Sequence, residues 1–570
     1  MADGFAARFL FTQSSLTRFL LAEATLSPRR ALLAAAVAGL SNALILALIN
    51  ASAEHAEQSE SRPLLVVGFG AAMLIYVFAQ RWILVQAAEQ VEAIIHNVRM
   101  RIVARLRACE LLDVETLGRG VIYSGVARHT QTLSQSASTI TIAVQMAVLI
   151  VFTTAYIAYL SLTSFIVLVV FMAVALTIYF RKSFSVRSNL RATLDMDNGV
   201  YAAIDDLLNG FKEAKLNRRR AEAIVRRAEQ ISGEAATVRG ETQTLLAKNF
   251  VFSQTSFYLL LGAMVFVVPM LASGYSDEVR KSTTAVLFII GPISGLIGSI
   301  PIFENASAAA ESIMDLEKKL AALAKNGAHA DDAPETATPS VRDATPAFET
   351  LELQGAVFRF PAPADGDPAD SFKIGPIDLV LTRGETLFVT GGNGSGKSTL
   401  LRVLTGLYPL EHGRLLVDGK PVRRETAAAY RELFAAVFGD FHLSRDLDGA
   451  APDLLDEAYD WMSLLEIQDK VELRDGVFTT TELSSGQRKR LALVATLLED
   501  KPILVLDEWA ADQDPVFRRK FYREILPKLR ARGHTIVAVT HDSRFFDAAD
   551  RQLHMEDGMI AEFDPDMFHD

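Results

Sequence analysis

Between an apolar run, Thr386-Leu387-Phe388-Val389-Thr390, and a helix-forming run, Leu400-Leu401-Arg402-Val403-Leu404, lies the string Gly391-Gly392-Asn393-Gly394-Ser395-Gly396-Lys397-Ser398-Thr399. It fits G-x-x-x-x-G-K-S, the pattern of a phosphate-binding loop, and its flanks supply the strand and the helix start that such a loop needs. The glycines let the backbone curl closely around a phosphate, so that successive N–H groups converge on the anion. Lys397 is placed to reach β- and γ-phosphates, and the Ser398 hydroxyl to ligate Mg²⁺. This loop commits the C-terminal part of the chain to an α/β fold that handles nucleotide phosphates. Alone, it fits kinases, GTPases and motors equally well.

The rest of the chain is of a different kind. Of 570 residues, half are hydrophobic, yet 22% are charged. Such a mixture points to a membrane part joined to a soluble part, and the charges are segregated accordingly. The net charge of −11 argues against nucleic acid as a main partner. A single cysteine, Cys109, excludes an intrachain disulfide and any multi-cysteine metal site. Its expected role is that of a small buried or interfacial side chain.

Six apolar runs long enough to cross a hydrocarbon core of about 30 Å fall near 30–50, 63–83, 136–159, 162–181, 250–272 and 284–303. Ahead of them, Phe5, Phe9, Phe11, Leu16 and Phe19 read as an amphipathic helix on the cytoplasmic membrane face rather than a secretory signal or a peptidase domain. The second and fourth spans run into polar segments, 84–135 and 182–249, that contain no proline and are helix-compatible. Arg99, Arg101, Arg105 and Arg107, then Lys212, Lys215 and Arg218 to Arg220, place both segments in the cytoplasm. Six crossings put both termini there as well. The bends of these long hairpins are expected at Leu117-Gly118-Arg119-Gly120 and at Leu208 to Glu213. Such tips would touch the nucleotide-binding part and transmit its motion. Gln145, Ser253 and Gln254 are polar residues in or near apolar spans, suited either to face a cavity or to bond between helices.

Residues 323–346, rich in Ala, Asp, Thr and Pro, read as a flexible linker. The chain thus divides into 1–322, an all-α membrane domain, 323–346, and 347–570, an α/β nucleotide-binding domain. Within the last, Ile503-Leu504-Val505-Leu506-Asp507-Glu508 reads as a buried strand ending in two carboxylates. Asp507 fits a Mg²⁺ partner and Glu508 the base that polarises an attacking water.

Leu483-Ser484-Ser485-Gly486-Gln487 then makes the pattern specific, because it resembles the L-S-G-G-Q signature of ABC ATPases, with Ser485 in place of the first glycine. Ser484, Ser485, Gly486 and Gln487 stand at a helix start suited to a γ-phosphate, which in that family belongs to ATP held by the opposite subunit. The resemblance extends to Ala511-Asp512-Gln513-Asp514, where Asp514 matches the aspartate of the loop that supports the subunit interface. It implies that His541, in Val539-Thr540-His541-Asp542, is the switch histidine contacting the γ-phosphate and the water. It also implies that Phe360 stacks on adenine. One feature departs from the family pattern: Gly439, in Ala436 to Leu443, or a neighbour stands where a glutamine usually senses the metal and the membrane domain. Asp440 and His442 are candidate substitutes.

Six spans followed by one ATPase domain resemble a half-sized ABC transporter of the exporter (type IV) fold. The strings Asp507 to Pro515, Leu483 to Leu491 and Gly210 to Asn217 are similar to the cyclic-peptide and siderophore exporter branch, that of the syringomycin- and pyoverdine-type exporters. The resemblance implies an ATP- and Mg²⁺-dependent homodimer in the bacterial inner membrane, in contact with lipid. Such a dimer would export a cyclic peptide, lipopeptide or siderophore precursor by alternating access. Periplasmic or outer-membrane export components are candidate partners. The alternatives carried forward are a lipid flippase or multidrug exporter, and a siderophore or peptide importer built on the exporter fold.

Overall fold

The computed structural model describes residues 15–23, 28–57, 63–271, 277–327, 348–361, 371–447 and 454–561. Two compact units emerge. The first joins described residues up to Val103 with Gly120–Lys318; the second joins Ala104–Arg119 to those from Lys319 onward.

The first unit is helical. A short helix α1 (Ser15–Glu23) precedes α2 (Pro28–Glu57) and the long α3 (Pro63–Arg107). After a turn comes α4 (Leu111–Leu117), which belongs to the second unit. The chain then returns through Arg119–Tyr123 and a π turn into α5 (Thr130–Leu160), followed by α6 (Leu162–Asn209), the short α7 (Phe211–Leu216) and α8 (Arg218–Gly262). A π turn and a last helical turn carry α8's run to Leu271, and α9 (Asp277–Gly327) closes the unit. Among the described residues six helical runs are long and apolar enough to cross a membrane, and each overlaps one of the expected spans. This is a multi-pass membrane protein. Lipid-type packing follows: Gly39 of α2 presses against Val148 and Phe152 of α5 so closely that a β-carbon would come within 2.9 Å of both. Gln80 of α3 donates to Gln145 of α5 at 2.7 Å, so Gln145 serves as an interhelical bond.

Three expectations need correction. The apolar face of α1, with Leu16 and Phe19 buried, packs against Ile94, Ile95 and Leu133 of its own unit rather than lying free for lipid. Phe5, Phe9 and Phe11 lie outside the described residues. The first tip is not the glycine pair at 118–120 but α4, bounded by the turn at Ala108-Cys109-Glu110 and by Gly118. Finally, α9 runs to Gly327, into the segment expected to be a linker, because Ala321, Ala322 and Leu323 continue its helix-favouring run.

The nucleotide-binding part has two sheets. Strands β1 (Thr350–Arg359), β2 (Lys373–Thr382), β4 (His412–Val417) and β5 (Lys420–Pro421) form an antiparallel sheet in the order β2-β1-β4-β5. The central sheet runs β12-β11-β3-β10-β9-β6. It is built from β3 (Thr386–Gly391), β6 (Phe434–Val437), β9 (Ile503–Asp507), β10 (Thr535–Val539), β11 (Arg551–Glu556) and β12 (Met559–Ala561). A small ribbon, β7 (Leu473–Arg474) with β8 (Val477–Phe478), stands apart. All pairings among β11, β3, β10, β9 and β6 are parallel, and every residue of β3, β9 and β10 is buried. Alternate residues feed two cores. Ile503 and Val505 point to the side of the antiparallel sheet, Leu504 and Leu506 to the side of the later helices. Each such side chain contributes about 1.5–3 kcal/mol by leaving water. Burial on both faces is why these strands read as continuous apolar runs.

Candidate active site

The parallel register decides the site. Val539 of β10 aligns with Val389 of β3 and with Asp507 of β9, and Val437 of β6 aligns with Leu506. Four adjacent strands therefore end at one edge of the sheet. There they deliver the phosphate-binding loop, His541, the Asp507-Glu508 pair and the Phe438-Gly439 turn, the edge where open α/β sheets bind ligands.

The loop turns where only glycine fits. Gly391 has φ 139°, and a β-carbon there would sit 2.2 Å from the Met555 carbonyl oxygen. Helix α10 (Lys397–Leu404) begins directly behind it. Lys397 is buried, and its ammonium donates to the carbonyls of Gly391 and Gly392 at 3.0 and 2.8 Å. Burial lowers its pKa, while the charges of Glu508 and Asp507 pull the other way. Asn393 and Gly394 are exposed at the loop crown, Thr399 is buried, and the buried Ser395 hydroxyl has no partner.

Asp507 is buried, and burial pushes its carboxyl above the usual range. The Ser398 hydroxyl and the Gly439 N–H, both bonded to it, act against that shift. Its Oδ1 has no hydrogen-bond partner. A buried, orphaned carboxylate oxygen beside a serine hydroxyl suits a hard divalent cation that brings phosphate oxygens and water as its other ligands. Among the described residues no group of three or more His, Cys, Asp or Glu side chains is placed to hold a metal ion. Glu508 adopts a left-handed backbone conformation, φ 48°, uncommon for a non-glycine residue. Its carbonyl accepts from the Lys489 ammonium at 2.8 Å, and its Oε1 lies 3.1 Å from His541 Nε2. Glutamate and histidine thus meet at the strand ends, half exposed, with room for water beside them.

The signature string opens helix α11 (Ser485–Leu497). Ser484 caps it: its hydroxyl accepts from the Gln487 N–H, and the Gln487 side chain accepts in return from the Ser484 N–H. Gly486 lies against Asp512, and its carbonyl accepts from Gln513 Nε2 at 3.1 Å. Ser485 is exposed. Asp514 caps helix α12 (Pro515–Lys520) through the Val516 and Phe517 N–H groups and pairs with Arg490 at 3.0 Å. Phe360 packs edge-on against Phe358 and Tyr408. Phe372 lies close to the loop: its ring would be 3.4 Å from a β-carbon on Gly396. Phe372 sits before β2 with no spacing signal of its own, so the sequence offered no route to it.

The glutamine departure resolves in an unexpected way. Gly439 supplies a backbone N–H to Asp507, whereas Asp440 turns to Arg402 of α10 at 3.1 Å and His442 is exposed.

Residues 374–511 match the ABC transporter family. The ATP-binding protein SyrD of Pseudomonas syringae pv. syringae is 35% identical over 486 residues, 81% of this chain and 83% of the relative. An ATP-dependent lipid A-core flippase of Hahella chejuensis is 32% identical over 213 residues, 35% of each chain. A solved bacterial Atm1-family ABC exporter with ATP bound superposes with a TM-score of 0.71 at 19% identity, covering 94% of both chains.

Proposed function

Because the chain belongs to the ABC transporters, as an exporter-fold protein whose ATP hydrolysis is coupled to transport, we propose that two copies export a peptide natural product across the bacterial inner membrane. The cargo class is a cyclic peptide, lipopeptide or siderophore precursor. The observation that carries this reading is the similarity to SyrD over four-fifths of the chain, together with the exporter-branch strings already quoted. A cavity of about 290 Å³ between α5, α6, α8 and α9 adds support for a cargo with apolar bulk. It is lined mostly by side chains such as Phe171, Met172 and Phe257, with the partnerless hydroxyl of Ser253 on its wall.

Two copies are needed because each chain carries one phosphate-binding loop and one signature string. The bonds of Ser484, Gly486 and Gln487 among the described residues run to their own helix start and to Gln513. Asn393, Gly394, Ser484 and Ser485 stay exposed, as the halves of a composite site should. At the tip α7, Phe211 and Leu216 are also exposed, the latter at 89%, and a second copy would cover them.

In this reading Lys397 and the loop N–H groups hold the β- and γ-phosphates. Glu508, kept in place by Lys489 and His541, takes up proton density from the attacking water. Mg²⁺, held by Ser398 and Asp507, would neutralise charge on the transferring phosphoryl group. The partner's signature helix start completes the cage around the γ-phosphate. Both termini lie in the cytoplasm, where ATP is.

Purified protein in lipid nanodiscs tests the cargo class. Peptide extracts of the producing cell should stimulate its ATP hydrolysis, and added lipid A-type lipids should not. Stimulation by the lipids alone would move the flippase reading ahead, which the partial match to lipid A-core flippases keeps in view.

A further inference from the structure

The missing glutamine leaves a mechanical question: what, in this chain, lets the ATP site sense the helix that returns to the membrane? The answer lies on α10. Ser398 and Arg402 are one helical turn apart on it and so share a face. Ser398 reaches Asp507. Arg402 reaches two ways: Nη2 to Asp440 at 3.1 Å, and Nη1 to the Tyr408 hydroxyl at 3.3 Å, with the guanidinium 5.6 Å from the Tyr408 ring. The Tyr408 hydroxyl in turn donates to Glu115 of α4 at 2.7 Å. Tyr408 is 2% exposed, and burial with the Glu115 bond pushes its pKa up to about 12, so it remains a donor at neutral pH. Asp440, by contrast, is mostly exposed, so its pair with Arg402 is weak and breakable. A short bond from the buried Tyr408 to the exposed Glu115 of α4, and a labile end at Asp440 next to the Gly439 that bonds Asp507, make a sensor rather than a brace. A separate anchor, Glu110 to Arg431 at 2.6 Å, also holds α4 but makes no bond to this chain of groups.

We propose that Glu115, Tyr408, Arg402 and Asp440 form a relay through which α4 and the ATP site respond to each other, doing in this chain what the absent glutamine would do. All four are positioning residues, because none touches the reacting atoms. The proposal rests on the two-copy transport reading.

The test uses full-length protein in nanodiscs with Cys109→Ser and a spin label on Met270→Cys, exposed at the far end of α8's run. The distance between labels on the two copies is measured with and without ATP and vanadate, and basal ATP hydrolysis is measured in parallel. Glu115→Ala should leave basal turnover and the KM for ATP within about twofold, yet reduce the ATP-driven population shift about fivefold or more. Glu115→Ala and Asp440→Asn should combine non-additively although the two side chains do not touch, whereas Glu110→Ala and Asp440→Asn should add. A label distance that still responds fully in Glu115→Ala, or additive behaviour of Glu115→Ala with Asp440→Asn, would overturn the relay alone. A wild-type distance that ignores ATP would overturn the two-copy reading and the relay with it.

Discussion

Asp507 concentrates the residue-scale argument. Its side chain is buried, pushed toward the neutral form by burial, and left with one oxygen unpartnered. In its proposed role as a Mg²⁺ partner, Asp507 thus trades stability for function. Replacing Asp507 by asparagine removes the charge that burial penalises, so the nucleotide-binding domain without ligand should gain about 2–4 °C in unfolding midpoint. The same variant should lose the further stabilisation that Mg²⁺ and ATP together give the wild type. Differential scanning fluorimetry with and without Mg²⁺-ATP reads both effects. A midpoint that falls without ligand would mean that Asp507 braces the fold. The residues ending β3, β9 and β10 were legible because their chemistry is local: a glycine loop, a carboxylate pair and a histidine, each closing an apolar run. The Tyr408–Glu115 bond was not, since it joins positions 293 apart that no motif links. Asp514 was legible as a motif match, but its bonds are those of a helix cap and a pair with Arg490, and only the Pro515 following it hinted at the cap.

At the scale of elements, Trp509 is one of the residues that hold α11 to the strand end. Trp509 is 1% exposed, its indole donates to the Lys489 carbonyl at 2.8 Å, and its ring packs 4.5 Å from that of Phe521. Lys489 in turn donates to the Glu508 carbonyl, so α11 and the proposed catalytic carboxylate share one brace. Trp509→Phe keeps most of the volume but removes the buried indole hydrogen bond and part of the ring's packing. It should destabilise the domain by about 1–3 kcal/mol. Chemical denaturation followed by intrinsic fluorescence would measure this, and an unchanged midpoint would mean that the helix is held elsewhere. The helix tips show where sequence reading falls short. Glycines at 118 and 120 drew attention to the end of α4, while its start at Leu111 follows a turn, Ala108-Cys109-Glu110, that contains neither glycine nor proline. The second tip carried Gly210 at its beginning and was placed correctly for that reason, with α7 following it.

At the scale of the whole molecule, the six membrane helices were plain from hydropathy alone, since backbone in lipid must bond to itself and leaves helices as the simple solution. Their partners in the fold were not plain, because apolar helices differ little in what they can pack against. Gly39 against Val148 and Phe152, and Gln80 with Gln145, are contacts of shape and of single hydrogen bonds. The two parts, membrane helices and ATPase, matter only if the energy of one drives the other. The most direct test is to measure ATP hydrolysis and peptide uptake in the same inside-out membrane vesicles, for the wild type and for Glu508→Gln. Loss of the Glu508 carboxylate, the proposed base, should lower hydrolysis by about 10²–10⁴-fold, and ATP-dependent uptake should fall with it. Uptake that continues at the wild-type rate while hydrolysis is lost would contradict the account.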